Sequence, residues 1–309
     1  MIKKSIINLS IFSLLALSVQ AQESKLKVSQ TTNSDKSVRL NFEKTDPGTQ
    51  TLVLNFREIN NSSGSLTQNF TVSGYSGSFL TLNPTNKNQG IGLSYSYRYI
   101  RGKFNPKYDN AFVYLLPYEN DVQVKVSESS FLGATYFGST TPEDWKVYRF
   151  YTKDEENVTA ARKGVVVEIV DTFESDNAGV AYTSKTNHLI IEHSDGTLAT
   201  YRGLKKGSFV VKLGQTVFPG TVLAKNSKYG SNDRYNISFM VSYLKSKDLE
   251  ANSSQNNKTS KSYYGFITPQ FFTSEKPNVV LEADAFYTVA QSKDIVQKEF
   301  TKKELKNIK

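Results

Sequence analysis

The chain of 309 residues contains two histidines, His188 and His193, and no cysteine. A catalytic zinc ion normally takes three protein ligands, drawn from imidazole, thiolate and carboxylate groups. The two imidazoles stand five apart in His188-Leu-Ile-Ile-Glu-His193, an apolar run that reads as a β-strand closed by the turn Ser194-Asp195-Gly196. Side chains alternate along a strand, so this odd spacing sends the two rings to opposite faces, and they cannot share one ion without a bulge. Each reads as a structural or surface residue. The lack of cysteine excludes disulfides, thiolate zinc sites and a lipidated N-terminal Cys together. Oxygen donors for a harder cation could come from Asp144, Asp154 or Asp171, but no calcium-type ligand loop surrounds them. A further polar pair is Asn236-Ile237-Ser238. Its spacing of two puts an amide and a hydroxyl on one face of the strand that runs on to Val241.

The elements that must position these residues read as β almost throughout. Leu93, Tyr95, Tyr97 and Tyr99 alternate with Ser94, Ser96 and Arg98, as a half-buried strand requires, and Ser37 to Glu43 and Thr51 to Arg57 behave similarly. Turn residues separate them: Asp46-Pro47-Gly48, Asn60 to Gly64, Asn83 to Asn86, and Arg101-Gly102. Short strands so spaced predict a sandwich. A turn-rich break at Gly138 to Pro142 opens a second block. There, Gly164 starts a Val-rich strand, and Leu213-Gly214-Gln215 and Phe218-Pro219-Gly220 mark two tight turns. Asn252 to Ser262 lacks apolar residues and reads as a linker or exposed loop. The expected organisation is an all-β chain with a leader at 1–21 and a β-sandwich-like domain at 22–130. A second β domain follows at 131–250, then a linker with C-terminal strands at 251–290, and a Lys-rich solvated helix or fraying tail at 291–309.

The N-terminus carries Lys3 and Lys4, a mostly apolar stretch from Ser5 to Val19, and small residues at Val19-Gln20-Ala21. That pattern predicts a secretory signal cleaved before Gln22 and a secreted or periplasmic protein with no integral membrane segment after cleavage. Loss of the two leader lysines takes Lys and Arg from 38 to 36 against 29 Asp and Glu, a formal charge of +7. Lysine is interspersed with acids in no basic stripe, which argues against a nucleic-acid partner. A mildly basic exported surface suits anionic wall polymers or lipid head groups, with an attraction that salt screens.

Five segments, taken in order, resemble one family. They are Ala160-Ala-Arg-Lys-Gly-Val-Val166, the strand ending in His193-Ser-Asp-Gly196, Thr200-Tyr201 with Leu204, Val211-Lys-Leu-Gly-Gln-Thr-Val-Phe-Pro-Gly220, and the strand from Asn236 to Val241. Their order is similar to that of the lysostaphin-type (LytM-like) zinc endopeptidases, over roughly residues 110 to 245. The lead-in Asp109 to Tyr118 looks like that of exported members from Bacteroidetes. The resemblance implies a barrel-sandwich, duplicated-hybrid β domain. It also implies a zinc ion held by a His, an Asp and the second His of a His-x-His pair, with further histidines in acid/base roles. Zinc acidifies a water that attacks cell-wall peptide bonds.

Carried over position by position, the resemblance predicts a site stripped of that chemistry. The Asp position, nine residues before Val158, is Arg149, and the histidine of the Tyr-x-His-Leu turn is Gly203 in Tyr201-Arg202-Gly203-Leu204. The His-x-His pair reads Asn236-Ile237-Ser238, and the first ligand should lie near Ala134 to Tyr136, whereas no His occurs in residues 1–187. No catalytic residue, metal ligand or cofactor is therefore expected. Arg149, Tyr201, Gly203, Asn236 and Ser238 are expected to line the former groove. Three functions follow. The groove binds peptidoglycan or wall peptides without cutting them, the domain docks an envelope protein such as a wall amidase, or the protein is an active peptidoglycan metalloendopeptidase whose site the motif positions do not reveal. Gly-turn hairpins with alternating Val also suit carrier and adaptor domains of the barrel-sandwich type, but no lysine stands at either hairpin tip for a biotin or lipoyl group.

Overall fold

Period-two burial builds the N-terminal module. In the computed structural model, which describes residues 25–130, 141–174, 185–228, 233–245 and 263–307, six strands form it: β1 (Leu26–Thr32), β2 (Val38–Lys44), β3 (Gln50–Asn60), β4 (Thr67–Val72), β5 (Ser76–Leu82) and β6 (Gly92–Arg101). They pair into two three-stranded antiparallel sheets, β1-β2-β5 and β4-β3-β6. In β2, Val38, Leu40 and Phe42 are buried while Arg39 and Glu43 are exposed. Leu26 and Phe42 of one sheet join Leu52 and Val72 of the other in a shared core, and the Phe70 and Phe79 rings meet across it at 5.0 Å. The module is the expected sandwich.

The second body holds β7 (Val113–Leu115), β8 (Gln123–Glu128), β9 (Tyr148–Thr152), β10 (Asn157–Thr159), β11 (Gly164–Val170), β12 (His188–Glu192) and β13 (Leu198–Arg202). It continues with β14 (Thr216–Val217), β15 (Val222–Lys225), β16 (Ser227–Lys228), β17 (Tyr235–Leu244), β18 (Tyr264–Ile267), β19 (Gln270–Phe272) and β20 (Phe286–Thr288). Ten of these strands form one sheet along the path β14-β11-β12-β13-β17-β9-β8-β20, with β16 and β18 also paired to β17. The central strand β17 sends Ile237, Phe239 and Val241 into the main core. Phe271 packs there at 5.7 to 6.0 Å from the rings of Tyr148, Phe150 and Phe239. The expected boundary at 130 falls inside this sheet, because β8 pairs with β9 and β20, and β7 pairs with β19. Those partners lie far along the chain, and local turn signals do not report them.

The two bodies meet through a dense polar joint. Arg101 reaches Asp46 at 3.0 Å and Glu168 at 3.1 Å, the Thr49 amide donates to Glu192, and the Tyr264 hydroxyl donates to the Arg101 carbonyl. Lys44 is buried and donates to the carbonyls of Asp46 and Gly48, and its pKa is pushed down by that burial. Gly48 sits at φ 79° with Val167 and Glu192 pressed against it, so a Cβ there would clash.

The charged C-terminal segment forms two short helices, α1 (Lys293–Gln297) and α2 (Lys302–Lys306). It is tied down: Glu299 accepts from Arg162 at 2.7 and 2.9 Å, Glu304 takes Lys163 at 2.7 Å, and Phe300 packs on Phe218. The expected leader at 1–21, the expected first-ligand position near 134–136 and the expected linker at 252–262 lie outside the described residues. Among the described residues no helix is long and apolar enough to cross a membrane.

Candidate functional site

Strand pairing brings distant polar residues into one row. On the face of the sheet away from Ile237 and Phe239, Arg149 of β9 opposes Ser238 of β17, and Ser238 opposes Arg202 of β13. The row continues to Ser127 on β8 and to His188 on β12. Directly opposed residues of an antiparallel pair share a face, with Cα atoms about 5 Å apart. The Cα atoms of Arg149 and Arg202 therefore flank Ser238 at about 10 Å from each other. Ser238 is buried at 5% exposure, and Asn236, two residues along the same face, is fully buried. The Asn236 side-chain amide donates to the Arg234 carbonyl at 2.8 Å.

Two of the residues expected to line the groove do something else. Tyr201 lies on the core face, fully buried, and its hydroxyl accepts the Ala161 amide at 2.9 Å. Register forces this, because Tyr201 opposes Phe239 and shares its side of the sheet. Gly203 acts through its backbone. At φ 85°, a conformation that suits glycine, its carbonyl accepts both the amide and the hydroxyl of Ser227. Arg202 was not singled out by the sequence reading. The alternation that buries Tyr201 was the available signal, since its neighbour must then face the other way.

The two histidines face opposite sides, as their spacing predicts. His188 stands in the row, with Nε2 at 2.9 Å from Glu168 and Nδ1 at 3.1 Å from the Thr186 carbonyl. The His188 hydrogen bond, aided by Arg101, holds the Glu168 carboxyl down to about 2. His193 is buried behind the sheet against Tyr114, with Nδ1 at 2.8 Å from Thr197. Burial, reinforced by the nearby Arg162 guanidinium, pushes its pKa down to about 3.

These residues do not fit zinc. A guanidinium and a glycine offer no lone pair to a cation, and the amide and hydroxyl at 236 and 238 are weak zinc donors. Among the described residues no group of three or more His, Cys, Asp or Glu could hold a metal ion. Beside the row opens a cavity of about 790 Å³ lined by Tyr151, Tyr235, Phe286, Lys125, Lys228 and Arg234, among others. Tyr151 joins the two, because it stands two residues from Arg149 on β9 and opposes Asn236.

The site is a row of polar residues across one face of a largely antiparallel sheet. Residues 144–251 match the family model of Peptidase family M23, and that stretch is an M23 domain. Among solved structures, the chain is similar to the M23 metalloprotease pseudoalterin from the deep sea, at 15% identity over 59% of this chain and 96% of that one, with a TM-score of 0.30. It is similar to a zinc-containing peptidase from Vibrio cholerae at 16% identity over 70% and 74% of the two chains, with a TM-score of 0.26. For a structure of the SpoIIQ–SpoIIIAH pore-forming complex the identity is 13% over 47% and 99%, with a TM-score of 0.28. The comparison with curated proteins found no match.

Proposed function

We propose that this is an exported protein whose M23 domain binds bacterial wall peptide in its groove without hydrolysing it. The observation that carries the reading is the pairing of Arg149 with Ser238, at positions where the family resemblance implies two zinc ligands. A cation there would meet a guanidinium instead of a carboxylate, and a repulsion on the order of several kcal/mol at contact in a half-buried site would oppose it. The same exchange turns an electrophilic floor into a hydrogen-bonding one, able to hold a peptide and unable to activate water.

The test uses the mature protein with purified sacculi. Retention on sacculi with no release of soluble fragments supports the reading. Hydrolysis that a chelator abolishes sinks it. Absence of sacculus binding would move the function to docking of an envelope protein such as a wall amidase.

A further inference from the structure

The cavity of about 790 Å³ is floored by one face of the sheet. Pairing places Phe286 of β20 opposite Lys125 of β8, Lys125 opposite Tyr151 of β9, and Tyr151 opposite Asn236 of β17, so these side chains share a face. Gln123, two residues from Lys125, shares it too, and Lys153 and Arg234, just past the ends of β9 and β17, also line the cavity. The Cα atoms of Phe286 and Tyr151 stand about 10 Å apart, with Lys125 between them.

This lining offers rings and uncommitted charges of both signs. Phe286 is 58% exposed, and no other ring or cation packs on its own ring among the described residues. Lys153, Arg234, Asp121 and Glu156 line the cavity and make no side-chain hydrogen bond or ion pair among the described residues. Burial, reinforced by Asp154 and Glu119, pushes the Glu156 carboxyl up, as expected of an acid without a cationic partner.

The position in the sheet narrows the class of ligand. β8, β9 and β17 each pair on both sides, so their backbone groups are taken up and a ligand across this face meets side chains alone. An extended peptide gains its main-chain hydrogen bonds at a sheet edge, which this face does not offer. A polyanion would meet Asp121, Glu156 and Asp233 together with the cations. A sugar ring suits both features: its C–H face lies against an aromatic face, and its hydroxyls donate and accept at once.

We propose that this cavity binds a short β-1,4-linked oligosaccharide, laid across the strands with one sugar ring on Tyr151 and another on Phe286. Lys153, Arg234, Asp121 and Glu156 hold its hydroxyls. A β-1,4 linkage keeps successive rings in an extended ribbon that can follow a sheet face, whereas an α-1,4 linkage curls the chain away. The site is separate from the Arg149–Ser238 row and does not depend on the peptide-binding reading.

The experiment is calorimetry on the purified protein with cellotriose, triacetylchitotriose and maltotriose, and with trialanine and a short polyphosphate as sugar-free probes. At least one of the two β-1,4 trimers should bind at least about tenfold more tightly than maltotriose. Which of them does so distinguishes a hydroxyl-only sugar from an N-acetylated one. Phe286→Ser and Tyr151→Leu should each weaken that binding about threefold to tenfold, the loss of one ring stack. Thermal melting shows that each variant is folded, and Phe286 is exposed enough for its replacement to leave the core alone. Failure of both β-1,4 trimers to bind, equal binding of maltotriose, or affinity that survives both ring substitutions overturns the proposal. So does a stronger response to trialanine or to the polyphosphate than to either trimer. The trimers carry no peptide, so their failure with sacculus retention intact overturns this site and leaves the peptide-binding reading standing.

Discussion

Arg149 and Ser238 are directly opposed partners on neighbouring antiparallel strands, and both lie on the sheet face opposite Phe150 and Ile237. Their side chains therefore share one small region of that face.

That pairing leads to the first prediction. Mature protein dialysed against micromolar zinc should retain far less than one ion per chain by elemental analysis. Adding Arg149→Asp, Asn236→His and Ser238→His together should still give no hydrolysis of sacculi, because Gly203 supplies no side chain and no His occurs in residues 1–187. One tightly held ion in the wild type would count against the pseudoenzyme reading.

The position of Tyr201 yields a second. Tyr201→Phe deletes the acceptor of the buried Ala161 amide and should cost about 1 to 3 kcal/mol of stability, read by urea unfolding. Sacculus binding should be unchanged in the folded variant, since the ring faces the core. A selective loss of binding at full stability would return Tyr201 to the groove.

Arg101 ties the sandwich to the M23 domain, so Arg101→Ala should leave Asp46 without its closest cationic partner at the joint. Its side chain is 11% exposed and that of Asp46 10% exposed, and breaking such a pair from one side costs about 3 kcal/mol. The joint should also weaken in acid. Glu168 is held down to about 2 in the folded protein against an ordinary value of 4.5, so its contribution is present above about 4.5 and is lost as pH falls toward 2. Limited proteolysis between residues 101 and 112 should accelerate in the variant at neutral pH, and in the wild type over that acid range. Equal cleavage rates in both proteins would refute the joint.

His193 makes a second pH-dependent contribution with its own window. Its folded pKa of about 3 lies below the ordinary 6.5, so the unfolded chain takes up a proton that the folded one refuses. Stability should fall as pH drops from about 6.5 toward 3, by up to about 1.4 kcal/mol per pH unit from this one group. His193→Gln should be less stable at pH 7, having lost the ring packed on Tyr114, and should show a shallower slope from pH 6.5 to 4. An identical slope in the variant would assign the acid loss to other groups, of which Asp195 beside Arg162 is the nearest.

Local pattern determined a good deal about this protein. Alternation predicted strands over Ser37 to Glu43, Thr51 to Arg57 and Asn236 to Val241, and the structure has them. The same period of two placed Asn236 and Ser238 on one face and the two histidines on opposite faces, because side-chain direction within a strand depends on nothing beyond that strand. Which residues become neighbours across strands is a different matter. Residues 149, 202 and 238 form one row only because β17 lies between β9 and β13, and a one-residue slip in either pairing would point Arg149 or Arg202 into the core. Tertiary structure decided that Tyr201 packs against Phe239 while Arg202 stands opposite Ser238, and that β8 belongs with the second sheet. The reason is physical: cross-strand register is set by which faces can be buried together, and burial depends on partners that are remote in the chain.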